Sequence, residues 1–195
     1  MTTSEATDGT ATQILDVAER LVQTRGYNAF SYADIATALS VSKAALHYHF
    51  RSKEALGDVL LERYTERFFA ALNAIPAETP APEKLARYVE LYRRVLHADR
   101  LCMCGILAAE YQTLPMTMRD AVLEFFDRNE TWLDGVLHEG IADGTIRASE
   151  PVRDSARVLI SGLEGAMMLA RARNDYERFD CLASRMLAEL TVSGP

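Results

Sequence analysis

Residues 31–50 read SYADIATALSVSKAALHYHF, and this stretch decides the fold of the amino-terminal part of the chain. Ser31 and Ser42 each precede a short helical pattern, and a serine side chain can cap a helix by accepting a hydrogen bond from its first backbone amides. Only residues 39–41 remain to join the two helices. Two short helices with a three-residue joint are typical of a helix-turn-helix motif.

A helix is predicted on each side of this motif. Apolar residues between Thr10 and Arg25 recur at the spacing of one buried helix face, and Gly26 ends the pattern. These apolar residues are Ile14, Leu15, Ala18, Leu21 and Val22. After the motif, Ser52 can cap a fourth helix that begins at Lys53. Its predicted buried stripe is Leu56, Val59, Leu60, Tyr64, Phe68 and Leu72.

The remainder of the chain is also helical in pattern. Residues 75–83 read IPAETPAPE, and their three prolines end the fourth helix. Helical periodicity then returns in five segments, without sustained strand alternation. The segments are 82–98, 102–113, 116–140, 152–173 and 175–191. We therefore predict an all-α protein with a disordered tail over residues 1–9, a helix-turn-helix domain over 10–55 and a second helical domain over 56–195.

Composition narrows the class of protein. The 195 residues are 49% hydrophobic and 25% charged, which is typical of a globular chain that buries a core. No apolar run is long enough to cross a membrane, and the first residues lack a secretory signal, so a cytoplasmic protein without a membrane partner is expected. Three cysteines predict reduced thiols. The net charge of −7 means that nucleic-acid binding requires a local patch.

Such a patch is present around the helix-turn-helix motif. Residues 36–53 contain no acidic side chain but include three cations, two histidines and a tyrosine. In the helix over 43–50, Leu46 and Phe50 lie four residues apart and are expected to be buried together. The outward face begins with small residues, as is needed for a helix end that enters the DNA major groove. The alternative is a short surface helix whose small residues only allow close packing.

Residues 14–56 together resemble the amino-terminal DNA-binding domain of the TetR family of bacterial transcriptional regulators. The resemblance rests on one continuous register and on the pattern HF-x-SK-x-x-L after the motif. Matching positions are Ile14, Leu15, Ala18, Gly26, Tyr27, Asp34, Ile35, Ala36, Val41, Ser42, Lys43, Leu46, His49, Phe50, Ser52, Lys53 and Leu56. Beyond Leu60 the chain resembles only the variable helical domain of the family. The resemblance implies a three-helix DNA-binding domain followed by a helical ligand-binding and dimerisation domain.

The resemblance also implies DNA contacts at particular positions. Ser31 and Lys53 are expected to contact phosphates, and Ala44 and Ala45 to offer methyl groups to bases. The remaining expected DNA-binding residues are Ser42, Lys43, His47, Tyr48 and His49. Two positions depart from the family pattern: Ser40 stands where members often have glycine, and His47 where they often have tyrosine. These departures affect the turn angle and one DNA contact.

Aromatic and methionine residues are abundant in the second domain and, by the resemblance, predict a cavity for a small apolar or aromatic effector. The expected ligand-binding residues are Tyr92, Tyr111 and Trp132 as polar groups, with Met103, Leu107 and Met168 as apolar lining. Gly162, Ala166 and Ala170 recur every four residues on one helix face and are expected at a homodimer interface. Packing of the same face within one chain is the alternative.

No residue pattern indicates catalysis, a cofactor or a metal. His47 and His49 are two residues apart on a helix and point to opposite sides, so they cannot bind one ion together. Cys102 and Cys104 have the same spacing, which disfavours a disulfide between them, although a single reactive thiol would make the protein a redox or electrophile sensor. The leading hypothesis is a dimeric repressor that an effector releases from an inverted-repeat DNA operator. A DNA-bound structural protein without a ligand is a further alternative.

Overall fold

The computed structural model describes residues 2–149 and 151–192, and within these ranges the fold is helical, with 79% of the described residues in helices. A single antiparallel β-bridge joins Ile146 to Thr191. The helices are α1 (Thr2–Arg25), α2 (Tyr32–Leu39), α3 (Lys43–His49), α4 (Lys53–Asn73), α5 (Ala81–His97), α6 (Met103–Ala109), a 3₁₀ turn (Tyr111–Thr113), α7 (Met116–Ala142), α8 (Val152–Arg173) and α9 (Tyr176–Leu190). The all-α prediction is confirmed.

Most predicted helix bounds agree with the structure to within two residues, and α8 agrees at both ends. The exceptions are α1, which begins at Thr2 instead of residue 10, and the predicted helix over 102–113, which divides into α6 and the 3₁₀ turn. The predicted stripe of α4 was wrong at Val59, which is 40% exposed, whereas Leu61 is buried. The buried face of α4 therefore includes Leu61, which the helical spacing counted from Leu56 did not predict.

The chain forms two compact units. Unit 1 contains the chain through Thr65 together with Met103–Val122, and unit 2 contains Glu66–Cys102 together with the chain from Leu123 onward. The segment that carries α6 thus belongs to the same unit as the helix-turn-helix. A functional boundary at residues 55 and 56 stays a prediction, because compactness and function need not divide a chain at one residue. None of the helices in the described residues is both long and apolar enough to cross a membrane.

The core of unit 1 holds the helix-turn-helix in place. Ile14 of α1, Ile35 of α2, Leu46 of α3 and Leu56 of α4 are each completely buried. The buried Tyr32 hydroxyl lies 2.9 Å from the Phe50 carbonyl oxygen and 2.7 Å from that of Ser52, so it can donate to either. These carbonyls lie where α3 ends and α4 begins, so the Tyr32 hydroxyl joins α2 to the junction between the two helices.

The turn between α2 and α3 uses a left-handed residue. Ser40 has φ 55° and ψ 38°, and its N–H donates to the Thr37 carbonyl at 3.3 Å while the Val41 N–H donates to Ala36 at 3.0 Å. This backbone conformation is the one that glycine adopts without steric cost. Ser40 therefore forms the turn at the position where members of the TetR family often have glycine. The serine at this position leaves the helix-turn-helix motif intact.

Replacing Ser40 with glycine is expected to stabilise the protein slightly. Removing the Cβ relieves about 1 kcal/mol of left-handed strain, and the greater freedom of glycine in the unfolded chain offsets roughly half of that gain. The melting temperature should rise by about 1 to 2 °C in calorimetry. The Ser42→Ala variant is the control and should melt lower, because it loses the α3 cap. A lower melting temperature for Ser40→Gly would contradict the strain argument.

Candidate nucleic-acid interface and effector site

Helix α3 presents the face that the sequence predicted. The Ala45 N–H donates to the Ser42 hydroxyl at 3.2 Å, which caps the helix at its start. Leu46 is completely buried, whereas Lys43 and Ala44 are exposed and Tyr48 is 77% exposed. The start of α3 therefore offers a lysine, small side chains and free space to an approaching surface. This combination fits a helix end that enters the major groove.

His47 is exposed but held by contacts within unit 1. Its ring centroid lies 4.8 Å from that of Tyr32, and Nδ1 lies 3.3 Å from the Arg51 carbonyl. A proton on Nδ1 completes this hydrogen bond and leaves Nε2 as an acceptor. His49 is half-buried, with its ring centroid 5.2 Å from that of Tyr48. Of the two histidines, His47 offers the more accessible ring to DNA.

Ser31 caps α2 through Asp34. The Ser31 N–H and hydroxyl donate to Asp34 Oδ2 at 2.8 and 2.7 Å. These hydrogen bonds lower the pKa of the Asp34 carboxyl, because they stabilise its charged form. Ser31 is exposed at the start of α2 and its hydroxyl proton already has an acceptor in the chain. The phosphate contact expected for Ser31 stays a prediction.

Lys53 has partners inside unit 1. Its Nζ donates to the Phe30 carbonyl at 2.6 Å and lies 4.5 Å from the ring centroid of Tyr27 and 4.4 Å from that of Phe30. Partial burial lowers the pKa of Lys53, and the carboxylates of Glu110 and Asp34 oppose this change. An ammonium group has three protons, so Lys53 can hold the loop before α2 and still donate to a phosphate.

Replacing Lys53 with alanine is expected to weaken DNA binding by a similar factor on every sequence. A lysine on a phosphate carries charge but no base information, so the slope of log affinity against log salt should decrease by about one. Because Lys53 also binds Phe30 and two rings, the variant should melt at a lower temperature. Gel-shift titrations at several salt concentrations, with thermal unfolding, measure both effects.

The matched comparison for Lys53→Ala is Ala44→Ser on α3. The added hydroxyl faces outward and is expected to change which operator sequence is preferred while the salt slope stays constant. If Lys53→Ala altered sequence preference instead, the proposed roles of the two residues would be wrong.

Glu110, directly after α6, binds the loop between α1 and α2. Its Oε2 accepts from the Tyr27 N–H at 2.6 Å, and its Oε1 accepts from the Asn28 N–H at 3.3 Å. Gly26 has φ +91°, and a Cβ added there would lie 2.6 Å from Glu110 Oε1. Glycine is required at this position by both the backbone angle and the carboxylate. The sequence did not predict a role for Glu110, because nothing local connects this residue to a loop 82 residues earlier.

Unit 2 contains a buried chain of polar side chains. The Tyr88 hydroxyl donates to Asn129 Oδ1 at 2.9 Å and lies 3.0 Å from the Tyr92 hydroxyl. The Asn129 amide donates to the Phe125 carbonyl at 2.7 Å. Burial raises the pKa of both tyrosines, because it disfavours the charged phenolate. Trp132 stacks on Tyr88 with ring centroids 5.7 Å apart.

Glu164 of α8 adds a carboxyl group to the same surroundings. Desolvation raises the pKa of Glu164 to about 7, and a hydrogen bond with Cys102 opposes the rise. Its Oε1 is buried and, among the described residues, has no hydrogen-bond partner. The sequence did not predict a role for Glu164. Its spacing could have indicated a buried carboxyl, since it lies four residues after Ile160 and three before Met167, on the buried side of α8.

The six expected effector residues are divided between the units. Met103, Leu107 and Tyr111 belong to unit 1, where the first two are buried; Tyr92 and Trp132 belong to unit 2. The sixth, Met168 in unit 2, was expected to line the pocket, but it is 38% exposed whereas its neighbour Met167 is completely buried. The helical register of α8 therefore turns Met168 outward, and Met167 takes the inward position.

Trp132 also lines a cavity of about 390 Å³ within unit 2. The Lys84 ammonium and the Glu139 carboxylate lie at this cavity and pair at 2.5 Å. The cavity is therefore bordered by an aromatic ring and by an ion pair whose charges are already balanced.

The small residues of α8 pack inside the chain. Ala166 and Ala170 are 4% and 0% exposed, and a Cβ on Gly162 would lie 2.5 Å from Met186 Sδ of α9. Their burial favours the alternative of intramolecular packing over the expected dimer contact. The large apolar residues of α8 and α9 that are exposed are Val158 (69%), Met168 (38%), Leu169 (51%) and Leu182 (37%). A Cβ on Gly165 would contact nothing within 4 Å, so the backbone of α8 is accessible there.

The cysteines are not arranged for a redox switch. Cys102 and Cys104 are buried, which limits the access of oxidants and electrophiles to both thiols, and Cys102 has a hydrogen bond with the Glu164 carboxyl. Cys181 is exposed. In the part of the chain that the structure describes, no group of three or more metal-ligating side chains is present. The hypothesis of a thiol-based sensor is therefore not favoured.

Comparisons with known proteins cover both units. Residues 14–58 match the family model described as "Bacterial regulatory proteins, tetR family", and residues 81–186 match "Tetracyclin repressor-like, C-terminal domain". A relative, the "Fatty acid metabolism regulator protein" of Bacillus subtilis (strain 168), is 27% identical, with 93% of each chain covered. The "HTH-type transcriptional repressor KstR2" of Rhodococcus jostii (strain RHA1) is 29% identical, covering 77% of this chain and 74% of that protein.

Solved structures are also similar. A TetR-family transcriptional regulator from Agrobacterium tumefaciens superimposes with a TM-score of 0.91 at 31% identity, covering 95% of this chain and 100% of that chain. A TetR transcriptional regulator from Legionella pneumophila gives a TM-score of 0.83 at 32% identity, covering 92% and 96%.

Proposed function

The chain belongs to the TetR family of bacterial transcriptional regulators, and from this premise we propose that it is a repressor which a small apolar or aromatic effector releases from its operator. The observation that carries the proposal is α3, which is capped by Ser42, anchored by Leu46 and exposed along Lys43, Ala44 and Tyr48. Similar proteins named as repressors support the sign of regulation. We propose that the protein acts in the cytoplasm, where it would reach operator DNA.

The proposal includes a homodimer on an inverted repeat. A dimer with twofold symmetry presents two copies of α3, and half-sites of such an operator lie about one helical turn, roughly 34 to 36 Å, apart. The exposed apolar residues Val158, Leu169 and Leu182 of α8 and α9 are the surface that we assign to the dimer.

Footprinting of purified protein on DNA that flanks its gene tests operator binding, with light scattering at micromolar concentration for the oligomeric state. The proposal expects a dimer and a symmetric protected repeat. A monomer that protects a single half-site would contradict it.

The effector is proposed to act through the separation of the two copies of α3. Helix α4 is the proposed lever: Leu56 and Leu60 of α4 are buried in unit 1, and Leu72 of α4 is buried in unit 2. A ligand shifts the equilibrium only by its differential affinity for two states, so effector and operator should weaken each other reciprocally.

This route predicts a ternary complex of protein, operator and effector with reduced mutual affinity. Fluorescence anisotropy of labelled operator under saturating effector measures it. Trp132→Ala in unit 2 should abolish the response without changing DNA affinity in the absence of effector. Strict mutual exclusion of effector and operator at saturation, with Trp132→Ala responding normally, would contradict both the lever and the assignment of Trp132 to the pocket.

A further inference from the structure

The buried hydrogen bonds of unit 2 all run in one direction from donor to acceptor. The Asn129 amide nitrogen donates to the Phe125 carbonyl, which fixes Oδ1 as the atom that faces Tyr88. Tyr88 has one hydroxyl proton, which it donates in a hydrogen bond to Asn129 Oδ1. The 3.0 Å contact between the two phenols therefore has Tyr92 as donor and Tyr88 as acceptor. Because the Tyr92 proton is donated to Tyr88, the Tyr92 oxygen can only accept a hydrogen bond from a ligand.

Glu164 is the second acceptor. A buried polar atom without a hydrogen bond is costly, and native interiors rarely contain one. Glu164 Oε1 is such an atom within the described residues, although the same side chain has a hydrogen bond with Cys102. Helix α8, which carries Glu164, packs against α5, which carries Tyr88 and Tyr92, and the charge of Glu164 raises the pKa of both phenols. A buried acceptor without a partner in the described chain can accept a hydrogen bond from a bound ligand.

Aromatic rings pack against the two phenols. Phe68 has ring-centroid distances of 6.0 Å to Tyr88, 6.2 Å to Tyr92 and 5.1 Å to Phe125. Ring faces attract cations, and the ring bodies bury apolar surface. The environment is therefore rich in hydrogen-bond acceptors and ring faces.

We propose that the effector carries a protonated amine, bound by the Glu164 carboxylate and the Tyr92 oxygen, on an apolar or aromatic body. This inference rests on the proposed function and specifies the chemical class of its effector. An ammonium group supplies several donors and a charge that balances the carboxylate. An effector with a carboxylate would place two negative groups together in a desolvated site and is excluded from this position.

Three probes with one aromatic body test the proposal: phenylbutylamine, phenylbutanol and phenylbutyrate. Calorimetric titration of the full-length dimer is carried out slightly above neutral pH, where the amine is protonated like a lysine side chain. The amine is expected to bind at least about tenfold more tightly than the alcohol, and the carboxylate more weakly than either. Glu164→Gln should lose about tenfold or more in amine affinity and leave alcohol affinity unchanged.

The control variant is Glu177→Gln, which removes an exposed carboxylate of α9 and should bind all three probes like the original protein. Thermal unfolding and operator binding by Glu164→Gln confirm that the variant is folded. Tighter binding of phenylbutyrate, equal amine affinity in both proteins, or no binding of the amine at millimolar concentration would each overturn the inference. If the original protein still binds the operator in those cases, only the proposed effector class is wrong. If the original protein does not bind an operator, the proposed function is wrong.

Discussion

Replacing Glu164 with glutamine is expected to raise the free energy of unfolding above neutral pH by up to about 3 kcal/mol. The pKa of Glu164 rises from its ordinary value of 4.5 to about 7 in the folded chain. The folded protein therefore binds a proton more tightly than the unfolded chain, and each unit of pKa corresponds to about 1.4 kcal/mol. The side chain is partly accessible although Oε1 is buried, so the full value is an upper bound.

The proton on Glu164 also determines how the free energy of unfolding changes with pH. Between pH 4.5 and about 7, the unfolded chain has lost the Glu164 proton while the folded chain retains it, so this group makes the protein less stable as pH rises. Urea unfolding across this interval should show the decline in the original protein and in Glu177→Gln. The curve for Glu164→Gln should lack this contribution. Parallel curves for all three proteins would show that Glu164 titrates normally.

Replacing Leu169 with aspartate is expected to convert the proposed dimer into monomers and to reduce operator affinity by about a hundredfold or more, because each monomer then binds one half-site without the other. Leu169 of α8 is 51% exposed, so the substitution removes little packing within the chain. In the proposed dimer, however, the aspartate is desolvated against an apolar surface, which opposes association. Light scattering measures the mass, and gel shifts on the full inverted repeat measure the affinity.

Leu123 of α7 provides a closely matched control. It is a leucine in unit 2 with an exposed fraction of 50%, but it lies outside α8 and α9. Leu123→Asp adds the same charge to an equally exposed position and should leave the dimer and operator affinity intact. If Leu169→Asp remained dimeric, or if both variants dissociated, the assignment of the dimer to α8 and α9 would be wrong.

Local sequence determined the helices and the helix-turn-helix. Ser31, Ser42 and Pro151 mark helix starts, and Asn174 with φ 51° ends α8, so these bounds depend on residues next to the helices themselves. The outward face of α3 followed from the four-residue spacing of Leu46 and Phe50. Caps and periodicity act within a few residues, which is why the sequence alone could predict them.

Periodicity could not decide which residues on the apolar side of α8 are buried within the chain. Gly162, Ala166 and Ala170 lie along one stripe, and Val158 and Leu169 border that stripe on the Gly162 side, so the whole surface reads as apolar in sequence. The structure buries Ala166 and Ala170 against their own chain and leaves Val158 and Leu169 exposed. Which residues of α8 are buried depends on the helices that pack against it, because the apolar pattern of one helix does not specify its neighbours.

Only tertiary structure brought together the groups that carry the chemistry. Glu110 reaches the amides of Tyr27 and Asn28 across more than 80 residues, and Glu164 lies beside Cys102 across 62. In sequence, both glutamates read as ordinary charges on helical segments. Their hydrogen bonds and the raised pKa of Glu164 arise from desolvation and from partners distant along the chain, and those exist only once the helices have packed.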